Sequence, residues 1–145
     1  PEPVISSEIV LDAYLDRGVD PAKIVLGVPF YGQGWTGVEP GPDGDGLFQP
    51  ATGPAEGTYA AGTEDWRILA EKVASGEFEL FRDDEAGTAW IYDGRTLWTY
   101  DDPTAMAQKT AWAREQGLGG VMIWSIDGDD ADGSLMSAVH TALSD

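Results

Sequence analysis

The sequence predicts an α/β fold of parallel β–α units, interrupted by a small inserted unit of mixed α and antiparallel β structure. Three observations predict it. Two short apolar runs, KIVLGVPF at 23–30 and LGGVMIWSI at 118–126, read as strands of a parallel sheet. Capped helical patterns stand beside both. Between them lies a stretch with β-rich segments around Asp93-Gly94, a hairpin signal.

The elements follow in order. Val4 to Arg17 reads as a helix: Ser6 and Ser7 can cap it, Ile9, Val10, Ala13 and Tyr14 fall at helical spacing, and Gly18 stops it. Asp20-Pro21 breaks the chain before the first apolar run. Gly34 to Gly62 is rich in Gly and Pro, without periodicity, and reads as loop. Thr63 can cap a helix through Ser75, with Trp66, Leu69, Ala70 and Val73 on one face and Gly76 closing it. Phe78 to Arg82, Thr88 to Tyr92 and Thr96 to Tyr100 read as strands. Asp102-Pro103 places a capping carboxylate before a proline at the first helical position, and that helix runs to Gln116 before Gly117. Ser134 to Leu143 forms a last helix with Leu135, Met136, Val139 and Leu143 on one face. Two parallel strands cannot close a sheet, so further strands are expected from upstream sequence or from another chain.

Composition narrows the function. The 145 residues suffice for a real core, and 42% are hydrophobic. Eight Lys plus Arg against 26 Asp plus Glu give a formal charge of −18, which repels nucleic acid and anionic membrane surfaces but accepts a neutral ligand. There is no cysteine, hence no disulfide and no thiolate metal site. No apolar run reaches the roughly 18 residues that span a bilayer. The chain starts Pro-Glu-Pro, which reads as an excised or processed piece and is compatible with a lost upstream signal. Six Trp and five Tyr beside many carboxylates suit sugar recognition, where pyranose faces stack on rings and hydroxyls bond to carboxylates; core packing is the plainer use of the same aromatics.

Three motifs carry a resemblance. KIVLGVPFYGQGW at 23–35 resembles the seventh barrel strand of family 18 glycoside hydrolases, whose pattern is close to GxPFYGRxW. LWTYDDP at 97–103 resembles that family's return from its inserted domain. GLGGVMIWSIDGDD at 117–130 resembles its eighth strand, GxGGxMxWxxDxDD. All three stand in the family's order, with an insertion where the family has one. The resemblance implies the carboxy-terminal part of a (β/α)8 TIM barrel with an inserted small α+β domain. Residues 1–34 would supply a barrel helix and strand 7, residues 35–100 the chitinase insertion domain, and residues 101–145 a helix, strand 8 and the final helix.

Barrel sites lie at the carboxy-terminal ends of strands. Tyr31, Gln33 and Trp35 follow one strand, and Trp124 and Asp127 end the other. Trp124 offers a flat floor for a pyranose ring, and the resemblance gives the matching Trp that role. Tyr31 and Gln33 offer hydrogen bonds. Gln33 stands where the family has Arg, so it keeps donors but lacks the fixed charge and the guanidinium fork. Alternation sends Trp90 and Tyr92 to one face. That face either deepens the cleft or packs a mini-core.

The run from Asp127 to Gly133 fails as a calcium loop, since Ala131 and Ala138 occupy ligand positions, and reads instead as a loop capping the last helix. No metal or cofactor is expected. His140 reads as a packing or surface residue. Family 18 hydrolysis uses the substrate's own N-acetyl oxygen as nucleophile and one Glu as acid. The DxxDxDxE run that carries this Glu does not occur in the chain, so no catalytic residue is expected here and the isolated chain is expected to be inactive. The resemblance implies part of a secreted, extracellular chitinase of bacterial source, acting on β-1,4-linked N-acetylglucosamine polymers. The partners expected are chitin or chito-oligosaccharide, and the missing barrel portion or a second copy of the chain. A non-catalytic chitin-binding relative, a hydrolase of peptidoglycan or N-glycan cores, and a structural fragment without ligand are the alternatives.

Overall fold

The computed structural model describes residues 6–144. Helix α1 spans Ser7–Leu15, with the Ser6 hydroxyl accepting the Ile9 N–H at 3.3 Å as its cap. The sequence-expected start at Val4 lies outside the described residues. A 3₁₀ turn at Pro21–Lys23 leads into β1, Val25–Pro29. The insertion holds β2 (Tyr31–Thr36), β3 (Gly53–Pro54), β4 (Thr63–Asp65), α2 (Trp66–Ser75), β5 (Glu79–Asp83), β6 (Thr88–Tyr92) and β7 (Thr96–Tyr100). Then come α3 (Pro103–Glu115), β8 (Gly120–Trp124), a 3₁₀ turn at Ile126–Gly128 and α4 (Ser134–Ser144).

β1 and β8 form a parallel ladder in which Val25 faces Gly120 and Pro29 faces Trp124. The remaining strands form one antiparallel sheet in the order β3-β2-β7-β6-β5, with β4 also paired to β2. The chain leaves the parallel ladder at Phe30 and enters this sheet at Tyr31, four residues before the expected start of the insertion. Phe30 is the junction. Its N–H donates to the Trp124 carbonyl at 2.9 Å, its carbonyl accepts from the Trp66 N–H at 3.0 Å, and its ring is fully buried.

One continuous core joins the two parts. Val28 of β1, Phe30 at the junction, Ile91, Trp98 and Tyr100 of the insertion sheet, Leu69 of α2, Met106 of α3 and Leu135 and Val139 of α4 pack together. Arg114 ties α3 to α4 by donating to the Ala142 carbonyl at 2.8 Å. Within the described residues one face of the ladder is covered. Leu26, Val28, Val121 and Ile123 turn into the core, whereas Val25, Met122 and Trp124, on the alternate positions, are exposed.

Three further differences have local causes. Thr63 does not cap α2: residues 63–65 are held extended as β4 by pairing with Tyr31–Gln33, and the helix opens at Trp66. β3 and the second half of β2 arise inside a segment expected as loop. The second apolar run ends early, at Trp124, because the chain turns at Ile126–Gly128. The Trp124–Ser125 peptide is cis.

Candidate functional site

The open face of the β1–β8 ladder ends in a rim at the carboxy-terminal tips. Trp124 lies in register with Pro29, and its side chain is 67% exposed. Two residues past Pro29, Tyr31 begins β2, and alternation places Tyr31, Gln33 and Trp35 on one face of that strand. Pro29, Tyr31 and Gln33 line one hollow together with Thr88, Thr99, Asp101 and Lys109. Lys109 Nζ donates to both oxygens of the buried Asp101, at 2.6 and 2.7 Å, so this hollow carries a neutralised ion pair at its base. The hollow therefore offers a phenol, an amide and a hydroxyl around a charge-balanced recess, and the exposed Trp124 indole lies outside its lining. Such a set stacks on and hydrogen-bonds to a neutral polyol.

Asp127 sits on the same rim, fully exposed in the turn after β8. The Ser125 hydroxyl donates to its carboxylate and, with a backbone N–H, holds the carboxyl below its ordinary range. It is an ionised acceptor at neutral pH.

Comparison with known proteins decides the family. The family model described as "Glycosyl hydrolases family 18" matches residues 3–129. This chain belongs to glycosyl hydrolase family 18. Chitinase 63 of Streptomyces plicatus is 40% identical over 131 residues, covering 90% of this chain and 20% of that protein. Chitinase A1 of Niallia circulans is 38% identical over 120 residues, covering 80% of this chain and 17% of that protein. The catalytic domain of the psychrophilic chitinase B from Arthrobacter TAD20 superposes with a TM-score of 0.80 at 35% identity, covering 95% of this chain and 29% of that chain. A class V chitinase of Nicotiana tobaccum, solved in complex with NAG4, superposes with a TM-score of 0.88 at 24% identity, covering 99% of this chain and 40% of that chain. The chain thus spans about a fifth of the length of these curated relatives. As a family 18 chain, its α/β structure is a portion of the (β/α)8 barrel with its insertion, and β1 and β8 are adjacent barrel strands.

Within that frame the expected site residues divide. Tyr31, Gln33 and Trp35 share one face of β2, whereas Trp124 and Asp127 stand exposed at the tip of β8 and in the turn after it. Trp90 and Tyr92 do not join them. Both rings are buried in a second small core with Val38 and Leu97, and they offer no open face. Trp90 Nε1 donates to the Asp45 carbonyl at 3.1 Å and Tyr92 Oη to the Val38 carbonyl at 2.6 Å. The segment 37–52 folds over them, which corrects the expectation of a sugar-facing surface there.

Asp129 and Asp130 act within the fold. Asp129 accepts the N–H groups of Leu135 and Met136 at 3.1 and 2.9 Å, and Asp130 that of Ser134 at 3.0 Å, so both cap α4 as read from the sequence. Among the described residues no group of His, Cys, Asp and Glu is placed to hold a metal ion. Two exposed aromatics escaped the sequence reading: Phe48 and Tyr59, both in the Gly- and Pro-rich segment. Their only signal was a bulky apolar residue among turn-formers.

Proposed function

We propose that this chain is the cleft-forming carboxy-terminal part of a chitinase barrel and that it binds chito-oligosaccharide across Trp124 and Tyr31. The observation that carries the reading is the position of Trp124: an indole left two-thirds exposed at a strand tip, in register with Pro29, which stands two residues before Tyr31 in the chain. Exposed large aromatics at a barrel's carboxy-terminal rim serve ligands better than they serve stability. The chitinases named above, and the NAG4 bound to the Nicotiana tobaccum enzyme, support N-acetylglucosamine polymers as the ligand class.

The reaction in the parent enzyme is retaining hydrolysis, with the substrate's N-acetyl oxygen as nucleophile and a protonated Glu as acid. DxxDxDxE has no counterpart in residues 1–145, and the chain alone turns over no chitin. An extracellular location goes with this reading, since the polymer is too large to enter a cell.

The test is titration of the chain with chitotetraose, followed by tryptophan fluorescence. A saturable change that moves to higher sugar concentration in Trp124→Ala, and is not produced by cellotetraose, is expected. Stacking of one ring contributes about 0.5–1.5 kcal/mol, so the variant should lose up to about tenfold in affinity. Identical titrations for the wild type and Trp124→Ala would defeat the proposal.

A further inference from the structure

Building on the reading of Trp124 and Tyr31 as a sugar cleft, we infer that two pairs, Trp66–Asp130 and Arg82–Asp102, latch the insertion to the barrel portion and fix the spacing of the sugar contacts. The four side chains touch no sugar themselves. They are positioning residues, acting through the placement of Tyr31 and Gln33 against Trp124.

The sugar contacts are divided between the two portions. Trp124 ends β8 of the parallel ladder, whereas Tyr31 and Gln33 lie on β2 of the insertion sheet. The hollow beside them is divided in the same way. Pro29 and Lys109 belong to the barrel portion, and Tyr31, Gln33, Thr88 and Thr99 to the insertion. A ligand that touches both portions binds well only while their separation is held.

The covalent joints do not hold it. The chain enters the insertion at the start of β2 and leaves it at the end of β7. These are neighbouring strands inside the row β4-β2-β7-β6-β5, so both joints lie near one line about which the sheet could rock. The shared core opposes rocking only by apolar contact, which is non-directional and lets packed elements slide.

The latches stand at the two outer sides of that row. Trp66 follows β4 at one edge, and its Nε1 donates to Asp130 Oδ2 at 3.1 Å and to the Ser134 hydroxyl at 3.0 Å. Arg82 lies on β5 at the other edge, and its two Nη atoms donate to the two oxygens of Asp102. A guanidinium–carboxylate fork of this kind is directional as well as strong. At the usual strand spacing the edges are about 19 Å apart. Each acceptor is itself held. Asp102 caps α3 through the Ala105 N–H at 2.9 Å, and Asp130 caps α4 through the Ser134 N–H at 3.0 Å. The insertion is thus tied, at both edges, to the first turns of the two barrel helices that follow it.

The experiment measures placement and affinity together. The chain has no cysteine, so Glu71→Cys on α2 and His140→Cys on α4 give one spin-label site on each portion, and both positions are exposed. Double electron–electron resonance reads the distance between the labels. Calorimetric titration of the unlabelled chain reads chitotetraose affinity. Both are done on the wild type, Asp130→Asn, Arg82→Gln and the double variant. Asp130→Asn keeps a carbonyl oxygen for the α4 cap but no second one for the indole, and Arg82→Gln leaves Asp102 and the α3 cap in place. A narrow wild-type distribution should broaden in each variant, most in the double one, and narrow again at saturating chitotetraose. Affinity should fall about tenfold in the double variant, where the competent arrangement has become a minor fraction. Near-ultraviolet circular dichroism matching the wild type is expected throughout. A distribution as narrow in the double variant as in the wild type would overturn the latches. Broadening with unchanged affinity, or lost affinity without broadening, would overturn their positioning role. In each of these cases the cleft reading stands as long as Trp124→Ala weakens binding. If Trp124→Ala binds as the wild type does, the cleft reading falls and the positioning role falls with it.

Discussion

The indole Nε1 of Trp66 donates to the carboxylate of Asp130 at 3.1 Å, joining residues 64 apart in sequence. Trp66 opens the insertion's helix, and Asp130 lies between the last strand and the last helix. The same carboxylate accepts the Ser134 N–H and hydroxyl and the Asp132 N–H. It thus caps α4 and clamps the insertion to the barrel portion at once. Asp130→Ala should cost about 1–3 kcal/mol, since it leaves part-buried donors unpaired. The check is the urea midpoint, with Asp130→Asn expected to fall less far.

The same residue sets a pH dependence. Burial opposes its charge, but the Ser134 hydroxyl and N–H, together with the Trp66 indole, outweigh that and hold the carboxyl below its ordinary value. A lowered value in the fold means that the stabilisation is present above the unfolded-state value and is lost as pH falls through the folded one. Urea midpoints measured from neutral pH down to about pH 3 should decline less steeply in Asp130→Asn than in the wild type.

Local signals were enough for some elements and not for others. The hairpin of β6 and β7 was readable because Asp93-Gly94 and its flanking β-formers are contiguous. The start of α3 was readable from Asp102-Pro103, and the Asp102 carboxylate does accept the Ala105 N–H at 2.9 Å. β2 was only partly readable. Its glycines at 32 and 34 look like turn residues, yet they are there because the Tyr100 and Trp98 side chains lie against them, a contact more than 60 residues away in sequence. The site divides in the same way. Trp124 and Tyr31 follow from strand ends, which sequence shows. The burial of Trp90 and Tyr92 depends on a long irregular loop closing over the sheet, and no periodicity in residues 37–52 announces it.

That contact gives a second substitution. A Cβ built on Gly34 would lie 2.3 Å from the ring of Trp98, itself 1% exposed and unable to yield. Gly34→Ala should therefore cost about 1–3 kcal/mol by overpacking. Gly53, on β3, has open space around its Cβ position and an ordinary φ. Gly53→Ala should be neutral or slightly stabilising, through the entropy of the unfolded chain. Denaturant midpoints of the pair decide it: equal values would mean that Trp98 can move.

Charge predicts a salt response. A formal −18 on 145 residues, with four ion pairs among the described residues, leaves most carboxylates facing one another across solvent. Self-repulsion of this kind destabilises the compact state and is screened within about 10 Å at 0.1 M salt. The thermal midpoint should rise between about 10 mM and 0.5 M sodium chloride. A flat or falling midpoint would show that the exposed ion pairs dominate instead.

At the alkaline end the sign reverses. Burial pushes the Tyr100 phenol up to about 12, against the pull of the Arg82 guanidinium, and burial with Glu39 and Asp93 nearby raises Tyr92 as well. A raised value in the fold means that these residues contribute fully below the unfolded-state value and lose that contribution as pH climbs through the folded one. The window for Tyr100 runs from about 10, where an unfolded tyrosine ionises, to about 12. Phenolate absorbance and near-ultraviolet circular dichroism followed together should show late ionisation coinciding with loss of tertiary structure. Tyr100→Phe keeps the ring that packs 5.5 Å from Trp66 and removes the ionisable group, so it should unfold at higher pH than the wild type. If its alkaline transition falls at the wild-type position, Tyr92 controls the transition, and Tyr92→Phe should be the variant that moves it.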